Sequence, residues 1–410
     1  MRTPSVMLIA GEASGDLHAS RLVQAMRRQW ALSSEGAGSA PIDFFGAGGG
    51  RMAKAGVRLV EDMTAHSVFG FMEAIRKLRH FRALGKRLLD LASREQPDVI
   101  ILVDFGGFNL RFASAVRRLL RSRRGPFGNW SPKLVYFISP QVWASRAGRA
   151  DRLAGDMDLL LSIFPFEKPW YAKRVPGFRV EFVGHPLVDV FASEAAPDQG
   201  RRNGRPLVLL LPGSRRQELR RHLPVLAEAV KQLQGKVSIR VCMVLPNESL
   251  FELASSLVPC ARIDSLDDFG PEGGIQCLIG DATEAMRVAD LALTKSGSVT
   301  LECAFHRLPA VVIYRLAWLT WWIARSIVQV PYVAMPNLLA GRAVYPELLQ
   351  GRANAEAIAH EAETLLRGSR KRLAMVKELE EVRSLLGGPG ACERAASHVI
   401  ELLAVKGERA

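Results

Sequence analysis

The sequence predicts an α/β protein of two Rossmann-like domains facing a cleft, followed by C-terminal helices. Three observations carry this prediction. Short apolar runs alternate with segments of helical periodicity along most of the 410 residues, which is typical of parallel sheets covered by helices. The alternation breaks once, at the polar stretch EAAPDQGRRNGR, and then resumes. The last segment has helical periodicity without strand signals. A chain of this length also suffices for two separate cores.

The break divides the chain into an N-terminal domain (1–194), a linker (195–205), a second domain (206–352) and a helical tail (353–410). Three glycines precede the last helix of the tail, namely Gly387, Gly388 and Gly390. The predicted strands of the first domain are 6–10, 42–46, 99–103, 134–138, 159–163 and 180–183. Those of the second domain are 207–211, 239–245, 278–280, 291–294 and 310–314. The clearest predicted helices of the first domain are 17–30 and 111–124.

The composition favours an anionic partner and argues against a structural metal. Lys and Arg number 55 against 41 Asp and Glu, a net charge of +14, which suits phosphorylated substrates, anionic lipid or nucleic acid; a merely soluble basic surface stays an alternative. The five cysteines lack metal-ligand spacing and are interpreted as reduced thiols. The acidic DMD at 156–158 resembles a metal-binding motif, but it precedes a strand and so faces the wrong edge of the sheet; no metal is expected. No cofactor is expected either. The N-terminal apolar run is too short for a signal peptide, and no run reaches the about 18 residues of a membrane span.

Two turns of the second domain are suited to phosphate. In LLLPGSRRQE a strand leads through Gly213 to Ser214 and Arg215, whose donors match phosphate oxygens. In DLALTKSGSVTLECA a strand leads through Lys295 into a turn and a helix. The predicted contacts of that second turn are Ser296, Gly297, Ser298, Thr300 and Glu302. Two such turns predict a nucleoside diphosphate-sugar, and neither matches a P-loop or a dinucleotide fingerprint.

Alternatives stay open for parts of these turns. The first turn could be an exposed basic turn without a ligand. Glu302 either accepts from the two ribose hydroxyls or complements the helix dipole.

In the first domain, carboxylates follow two predicted strands. GEASGD combines Gly11, which allows close approach to a sugar, with Glu12, which can accept from a hydroxyl, and Ser14, which can cap the next helix. VIILVD ends at Asp104, where a water-poor cleft would raise its pKa towards that of a general base. Turn stabilisation is the alternative role for Asp104, and Glu12 is the alternative catalytic base. The predicted acceptor side also includes Asp16 and Asn109.

Two apolar segments flanked by basic residues suggest contact with lipid. The first is HSVFGFMEAIRKLRHFRALGKR, with the apolar residues Val68, Phe69, Phe71, Met72 and Ile75. The second is LAWLTWWIARSIVQVPY, with Trp318, Trp321 and Trp322. Such segments lie in a headgroup layer or cover an acyl chain; an ordinary core or dimer helix is the alternative for each.

Taken together, these motifs resemble the lipid-A-disaccharide synthase family, glycosyltransferase family 19. The resemblance runs from about residue 5 to 350 and rests on GEASGD, VDFGGFN, SPQVWASR, FPFEK, FVGHPL, LLPGSRRQE, TKSGSVTLECA and VPYVAMPNLLAGRAVYPELLQ. It implies a GT-B fold and metal-independent, inverting transfer. The implied substrates are UDP-2,3-diacylglucosamine and 2,3-diacylglucosamine 1-phosphate, and the implied products are a β-1,6 disaccharide and UDP. It also implies a cytoplasmic protein peripheral to the inner membrane, without nucleic acid, that can form a homodimer.

The resemblance assigns roles residue by residue. Asp104 matches the proposed general base, Glu12 and Asp16 match the acceptor-side turn, and Arg215 matches the arginine beside the donor diphosphate. The turn from Ser296 to Glu302 matches the nucleotide site, to which Asn337 and Arg342 of PNLLAGR also belong. Departures occur at Gly106-Gly107, where many members have Asp and Pro, and at Ser145, where Trp is common.

Two other functions compete with this one. A UDP-N-acetylglucosamine 2-epimerase or an undecaprenyl-linked transferase would share the fold. A non-enzymatic basic protein that binds nucleic acid or membrane belongs to a different class and would not respond to UDP.

Overall fold

The computed structural model describes residues 3–33, 40–63, 71–123, 125, 129–145, 147–191, 204–269 and 274–407. The chain divides into two compact units. Unit 1 comprises Met1–Asp189 and Leu386–Ala410, and unit 2 comprises Val190–Leu385. Most of the predicted linker (195–205), namely 195–203, lies outside the described residues.

The main part of unit 1 alternates strands and helices. Its elements are β1 (Ser5–Ala10), α1 (Ala13–Leu32), β2 (Asp43–Gly48), α2 (Gly50–Lys54), β3 (Arg58–Asp62), α3 (Phe71–Glu95), β4 (Val99–Val103), α4 (Gly106–Ser122), β5 (Lys133–Phe137), α5 (Val142–Ser145), α6 (Arg149–Asp156), β6 (Leu159–Ser162), α7 (Glu167–Arg174) and β7 (Val180–Phe182). The helix α8 (Pro186–Phe191) spans the division between the units. The seven strands form one parallel sheet in the order β3-β2-β1-β4-β5-β6-β7.

Unit 2 repeats this plan. Its elements are β8 (Leu207–Leu211), α9 (Arg216–Gln234), β9 (Arg240–Leu245), α10 (Glu248–Leu257), β10 (Cys260–Ile263), β11 (Ile275–Ile279), α11 (Thr283–Val288), β12 (Leu291–Lys295), α12 (Val299–Phe305), β13 (Ala310–Tyr314), α13 (Trp318–Ile327), α14 (Met335–Ala340), β14 (Glu347–Leu349), α15 (Ala355–Arg367) and α16 (Ser369–Leu385). Its parallel sheet has the order β10-β11-β9-β8-β12-β13-β14. The last helix, α17 (Ala391–Gly407), returns to unit 1 and packs on α1.

The strand register brings the predicted motifs together in pairs. Ala10 of β1 lies beside Val103 of β4, so the GEASGD and DFGGFN turns leave the sheet of unit 1 side by side. In unit 2, Leu211 of β8 lies beside Thr294 of β12, so the PGSRR and KSGS turns are neighbours as well. Both pairs lie at the carboxyl ends of parallel strands, where open α/β sheets bind ligands.

The central strands of each sheet are apolar and buried from solvent. The central strands β1, β4, β8 and β12 are buried almost throughout, as continuous apolar runs of parallel sheets are. In unit 1, alternate residues of these strands form one apolar cluster with α3 and α4, in which Met7 and Ile9 take part. The five cysteines are all free, in agreement with the prediction of reduced thiols.

The predicted fold class is confirmed, with corrections at the edges. The sequence analysis missed three strands, β3, β10 and β14, because each lies at or next to an exposed edge and lacks a buried apolar run. The predicted strand 278–280 is part of the longer β11, and the helix predicted at 17–30 begins earlier, at Ala13. Across the described residues, no helix is both long enough and apolar enough to cross a membrane.

Candidate active site

The turn after β4 holds Asp104 in an unusual backbone conformation. Asp104 and Phe105 both have φ near +49°, in the left-handed region that L-residues rarely adopt. Three hydrogen bonds hold the main chain there. The Asp104 N–H donates to Phe137 O over 3.0 Å, while Tyr136 Oη and Asn109 Nδ2 each donate to Asp104 O over 2.7 Å. Strained turns that are fixed so firmly are concentrated at functional sites.

Gly11 lies against this turn. A Cβ at Gly11 would lie 2.2 Å from the Phe105 ring, so only glycine fits. The sequence analysis expected Gly11 to admit a sugar; the structure shows that it admits Phe105. The contact also brings the carboxylates of Glu12 and Asp104, which lie at the same edge of the sheet, near each other. Burial raises the pKa of Asp104 above its ordinary value. A hydrogen bond from the backbone N–H of Phe105 opposes this rise, and the negative charge of Glu12 adds to it.

Two other residues of the predicted acceptor side, Asp16 and Asn109, have structural roles, whereas Ser14 lacks the predicted one. The Asp16 side chain is buried and accepts hydrogen bonds from the backbone N–H groups of Gly49, Arg51 and Met52, so it anchors the start of α2. Ser14 does not cap α1, because the helix begins at Ala13 and Ser14 lies inside its first turn, exposed. Asn109 is fully buried behind the Asp104 turn. The capping role expected of Ser14 is therefore wrong, and the expectation that these three residues contact the acceptor stays a prediction.

In unit 2, one half-buried carboxylate, that of Glu218, contacts both phosphate-suited turns. Glu218 accepts from the Ser214 N–H over 3.2 Å, and its Oε1 lies 3.5 Å from Arg215 Nη1 and 3.6 Å from Lys295 Nζ. Gly213 has φ of +131°, and a Cβ there would lie 2.6 Å from Glu218 Cβ. The sequence analysis assigned no role to Glu218, although it ends the LLPGSRRQE motif. The side chain of Arg215 is 63% exposed, and its guanidinium carries five N–H donors.

Some residues of the turn after β12 stabilise the turn by hydrogen bonds, and others remain available to contact a ligand. Ser296 Oγ donates to Val333 O over 2.6 Å, and Thr300 Oγ1 donates to Gly297 O over 2.7 Å. Both hydroxyls therefore donate their hydrogen bond to backbone carbonyls within the protein. Ser298 is exposed at the start of α12.

The carboxyl of Glu302 lies half-buried one turn into α12. Burial raises the pKa of Glu302, the charge of Asp281 adds to the rise, and Lys295 opposes it. Glu302 therefore remains a candidate acceptor for ribose hydroxyls.

The PNLLAGR segment uses its polar residues for folding. Asn337 is 0% exposed; its Nδ2 donates to Tyr345 O and to Glu347, and its Oδ1 accepts from the N–H groups of residues 344 and 345. All the hydrogen-bonding capacity of this side chain is used within the protein, and its predicted role at the donor stays a prediction. Arg342 pairs with Glu378 and Glu381 of α16, and its predicted role at the donor stays a prediction.

A second residue that the sequence analysis missed is His222 of α9. Its Nδ1 lies 3.0 Å from Pro212 O, and its Nε2 accepts from the Arg315 N–H over 3.1 Å, so the ring is neutral with its proton on Nδ1. Burial lowers its pKa, which agrees with this state. His222 thus ties the end of β8 to the segment before α13. No spacing in the sequence marks this long-range contact.

The predicted lipid-facing residues are only partly described. Val68 and Phe69 lie outside the described residues, and the side chains of Phe71, Met72 and Ile75 do too. On α13, Trp318 is 69% and Trp322 51% exposed, with their rings edge to face at 6.0 Å, whereas Trp321 is half-buried. Arg325 lies over the Trp322 ring. An exposed aromatic pair beside arginine is therefore present on unit 2.

Among the described residues, no group of three or more His, Cys, Asp or Glu side chains is arranged to hold a metal ion.

Comparison with known sequences gives a consistent result. A model of the family described as Lipid-A-disaccharide synthetase matches residues 6–401. The lipid-A-disaccharide synthase of Syntrophus aciditrophicus is 36% identical over 408 residues, covering 98% of this chain and 99% of the relative. That of Geobacter metallireducens is 37% identical over 415 residues, covering 98% of each.

Solved structures resemble the chain over its whole length. A putative UDP-N-acetylglucosamine 2-epimerase from Listeria monocytogenes has a TM-score of 0.62 at 14% identity, with 98% of each chain covered. The calicheamicin glycosyltransferase CalG4 has a TM-score of 0.56 at 15% identity, covering 98% of this chain and 99% of that one. At such identities these likenesses show the fold alone, which is the GT-B arrangement of two parallel-sheet domains.

Proposed function

The chain belongs to the lipid-A-disaccharide synthase family of glycosyltransferases, and we propose that it transfers 2,3-diacylglucosamine from UDP-2,3-diacylglucosamine to 2,3-diacylglucosamine 1-phosphate. The observation that carries the proposed mechanism is the Asp104 turn. A carboxyl at a strand end, with a raised pKa and a firmly held main chain, has the properties of a general base.

In the proposed step, ionised Asp104 takes the proton of the acceptor's 6-hydroxyl. The freed oxygen attacks the anomeric carbon of the donor from the side opposite UDP. The bond between that carbon and the diphosphate oxygen breaks, and UDP leaves with the electron pair. The product is a β-1,6 disaccharide with the anomeric configuration inverted, and Asp104 carries the proton until solvent removes it.

Unit 2 is proposed to stabilise the departing UDP. Arg215 offers exposed donors, and Lys295 adds a second positive charge beside the same Glu218 carboxylate. Negative charge grows on the diphosphate as the sugar bond breaks, so fixed cations there lower the barrier. Glu218 is proposed to position both cations, and Glu302 to accept from the ribose hydroxyls.

We also propose that the protein acts at the cytoplasmic face of the inner membrane, where its acylated substrates reside. The exposed Trp318 and Trp322 with Arg325 support this, since tryptophan and arginine are favoured at the membrane interface. Replacing both tryptophans by Ser should reduce binding to anionic vesicles while leaving the melting temperature unchanged. Vesicle binding equal to that of the wild type would refute this part of the proposal.

The function itself is tested with defined substrates. Purified protein is incubated with UDP-2,3-diacylglucosamine and 2,3-diacylglucosamine 1-phosphate, without added metal, and the products are analysed by mass. We expect disaccharide 1-phosphate and UDP in equal amounts. No disaccharide would overturn the proposal. Conversion of UDP-N-acetylglucosamine to its 2-epimer would favour the alternative instead.

A further inference from the structure

A groove of about 520 Å³ lies between α3 and α4 in unit 1. Its interior is largely apolar, and the volume falls within the roughly 300–1,000 Å³ of small-molecule sites. The apolar side chains that line it are Phe81, Leu89, Phe105, Phe108 and Phe112. None of the residues assigned above to the donor lines it, and Phe105 joins it to the Asp104 turn.

Aromatic rings form a continuous wall of this groove. The ring centroids of Phe81 and Phe105 are 5.6 Å apart, those of Phe81 and Phe108 are 5.9 Å apart, and those of Phe108 and Phe112 are 6.2 Å apart. Gly85 of α3 lines the groove, and a Cβ there would lie 3.7 Å from the Phe108 ring in ordinary contact, so a larger side chain fits at this position and takes up space in the groove. A flexible alkyl chain suits a narrow space between two helices that is lined by rings.

The rim of the groove is basic. Four exposed cations line it, namely Arg82, Lys86, Arg111 and Arg118. No carboxylate within the described part of the chain forms an ion pair with any of them. Cations without a carboxylate partner among the described residues, placed around an apolar groove, complement an amphiphile with an anionic head.

We propose that this groove binds one acyl chain of the acceptor, with the basic rim facing the acceptor's phosphate. The inference rests on the proposed function and adds to it the position of the acceptor's lipid. Phe105 lines the groove and directly follows Asp104, so a chain held there is attached to a sugar beside the proposed base. The length of the groove then limits the length of acyl chain that the enzyme prefers.

The test is a series of acceptors with acyl chains of increasing length, assayed with the wild type and with Gly85→Leu. Each buried methylene is worth about fourfold in affinity, so the wild-type KM for the acceptor should fall stepwise until the groove is full. Gly85→Leu takes up part of the groove, so it should raise the KM for long-chain acceptors at least about tenfold. The KM for the shortest acceptor and for the donor should not change. Ala83→Leu, at an exposed position of the same helix, is the matched control and should behave as wild type.

A charge reversal at the rim tests the same site without altering its interior. Arg118→Glu should raise the KM for the phosphorylated acceptor and leave the melting temperature unchanged. If Gly85→Leu proves unfolded, this variant still decides the question.

The outcomes separate the groove from the function. Wild-type transfer with no chain-dependent effect of Gly85→Leu or Arg118→Glu would overturn the groove assignment and leave the function standing. Weaker vesicle binding with an unchanged acceptor KM would show that the groove holds bilayer lipid, which also overturns it. If the wild type transfers nothing, the function fails, and direct binding of the acceptor to the wild type and to Gly85→Leu still tests the groove.

Discussion

Replacing Asp104 by Asn should abolish the proposed base and keep the turn that holds it. The three hydrogen bonds that fix this turn all involve the main chain of residue 104, so the substitution does not touch them. Asparagine also tolerates a φ of 49° better than most residues. We therefore expect the free energy of unfolding to stay within about 1 kcal/mol of the wild type.

The expected loss of activity is much larger than that change in stability. A positioned general base contributes about 10²–10⁴ in rate, which corresponds to about 3–5 kcal/mol of barrier. Because Asp104 lies in unit 1 and the proposed diphosphate contacts lie in unit 2, UDP affinity should not change. The assay combines the initial rate of UDP release at saturating donor with UDP binding by calorimetry.

Glu12→Gln is the matched control, because it removes the charge of the neighbouring carboxylate and leaves the proposed base, Asp104, unchanged. The charge of Glu12 raises the pKa of Asp104, so its removal should lower that pKa. A general base acts when ionised, so activity is lost as pH falls through its pKa. The acid side of the pH–rate profile should therefore move to lower pH, with turnover at neutral pH retained within a few-fold.

Two results would refute this reasoning. If Asp104→Asn kept turnover within tenfold of the wild type while Glu12→Gln lost about 10² or more, the base would be Glu12. If the acid side of the Glu12→Gln profile did not move, the two carboxyl groups would not be coupled as their proximity requires.

Three further predictions concern both units. Arg215→Ala should weaken UDP binding about 10- to 100-fold through the loss of charge-assisted hydrogen bonds; an undiminished rise of melting temperature with UDP would contradict it. Asn337→Ala should cost about 2–5 kcal/mol of unfolding free energy in urea, because it leaves the buried N–H groups of 344–345 unpaired; a cost below about 1 kcal/mol would contradict it. Gly11→Ala should destabilise by about 1–3 kcal/mol and slow turnover, since its Cβ would overlap the ring beside the base, whereas Gly50→Ala, with open space around its Cβ, should have neither effect.

The sequence predicted the fold because the interior strands are continuous apolar runs. Such runs occur where a strand is buried on both faces, as β4 and β8 are. The edge strand β3 alternates between exposed and half-buried residues, and β14 has three half-buried ones. Their positions are set by pairing with a neighbour, which the local pattern does not show.

The candidate site was predictable as a set of turns but not in its internal contacts. The position of each motif after a predicted strand was enough to predict that Asp104 and Arg215 follow the carboxyl ends of their strands, as they do in the structure. The roles of Asp16 and Asn337 depend on hydrogen bonds to later segments, and that of Glu218 depends on an ion pair with Lys295. Local periodicity does not show such contacts; Asp16, for example, bonds backbone groups 33 to 36 residues away. From the sequence, a polar residue in a family motif is therefore predicted to bind a ligand. In the structure, Asp16 and Asn337 instead hydrogen-bond the backbone of other segments.

The most direct test of the central claim is the structure of the product. NMR of the disaccharide made by the purified protein from UDP-2,3-diacylglucosamine and 2,3-diacylglucosamine 1-phosphate reports both the linkage position and the anomeric configuration. Direct attack by a hydroxyl activated at Asp104 predicts a β-1,6 linkage. An α-anomer would contradict a single inverting displacement, and a linkage at another hydroxyl would contradict the assigned orientation of the acceptor.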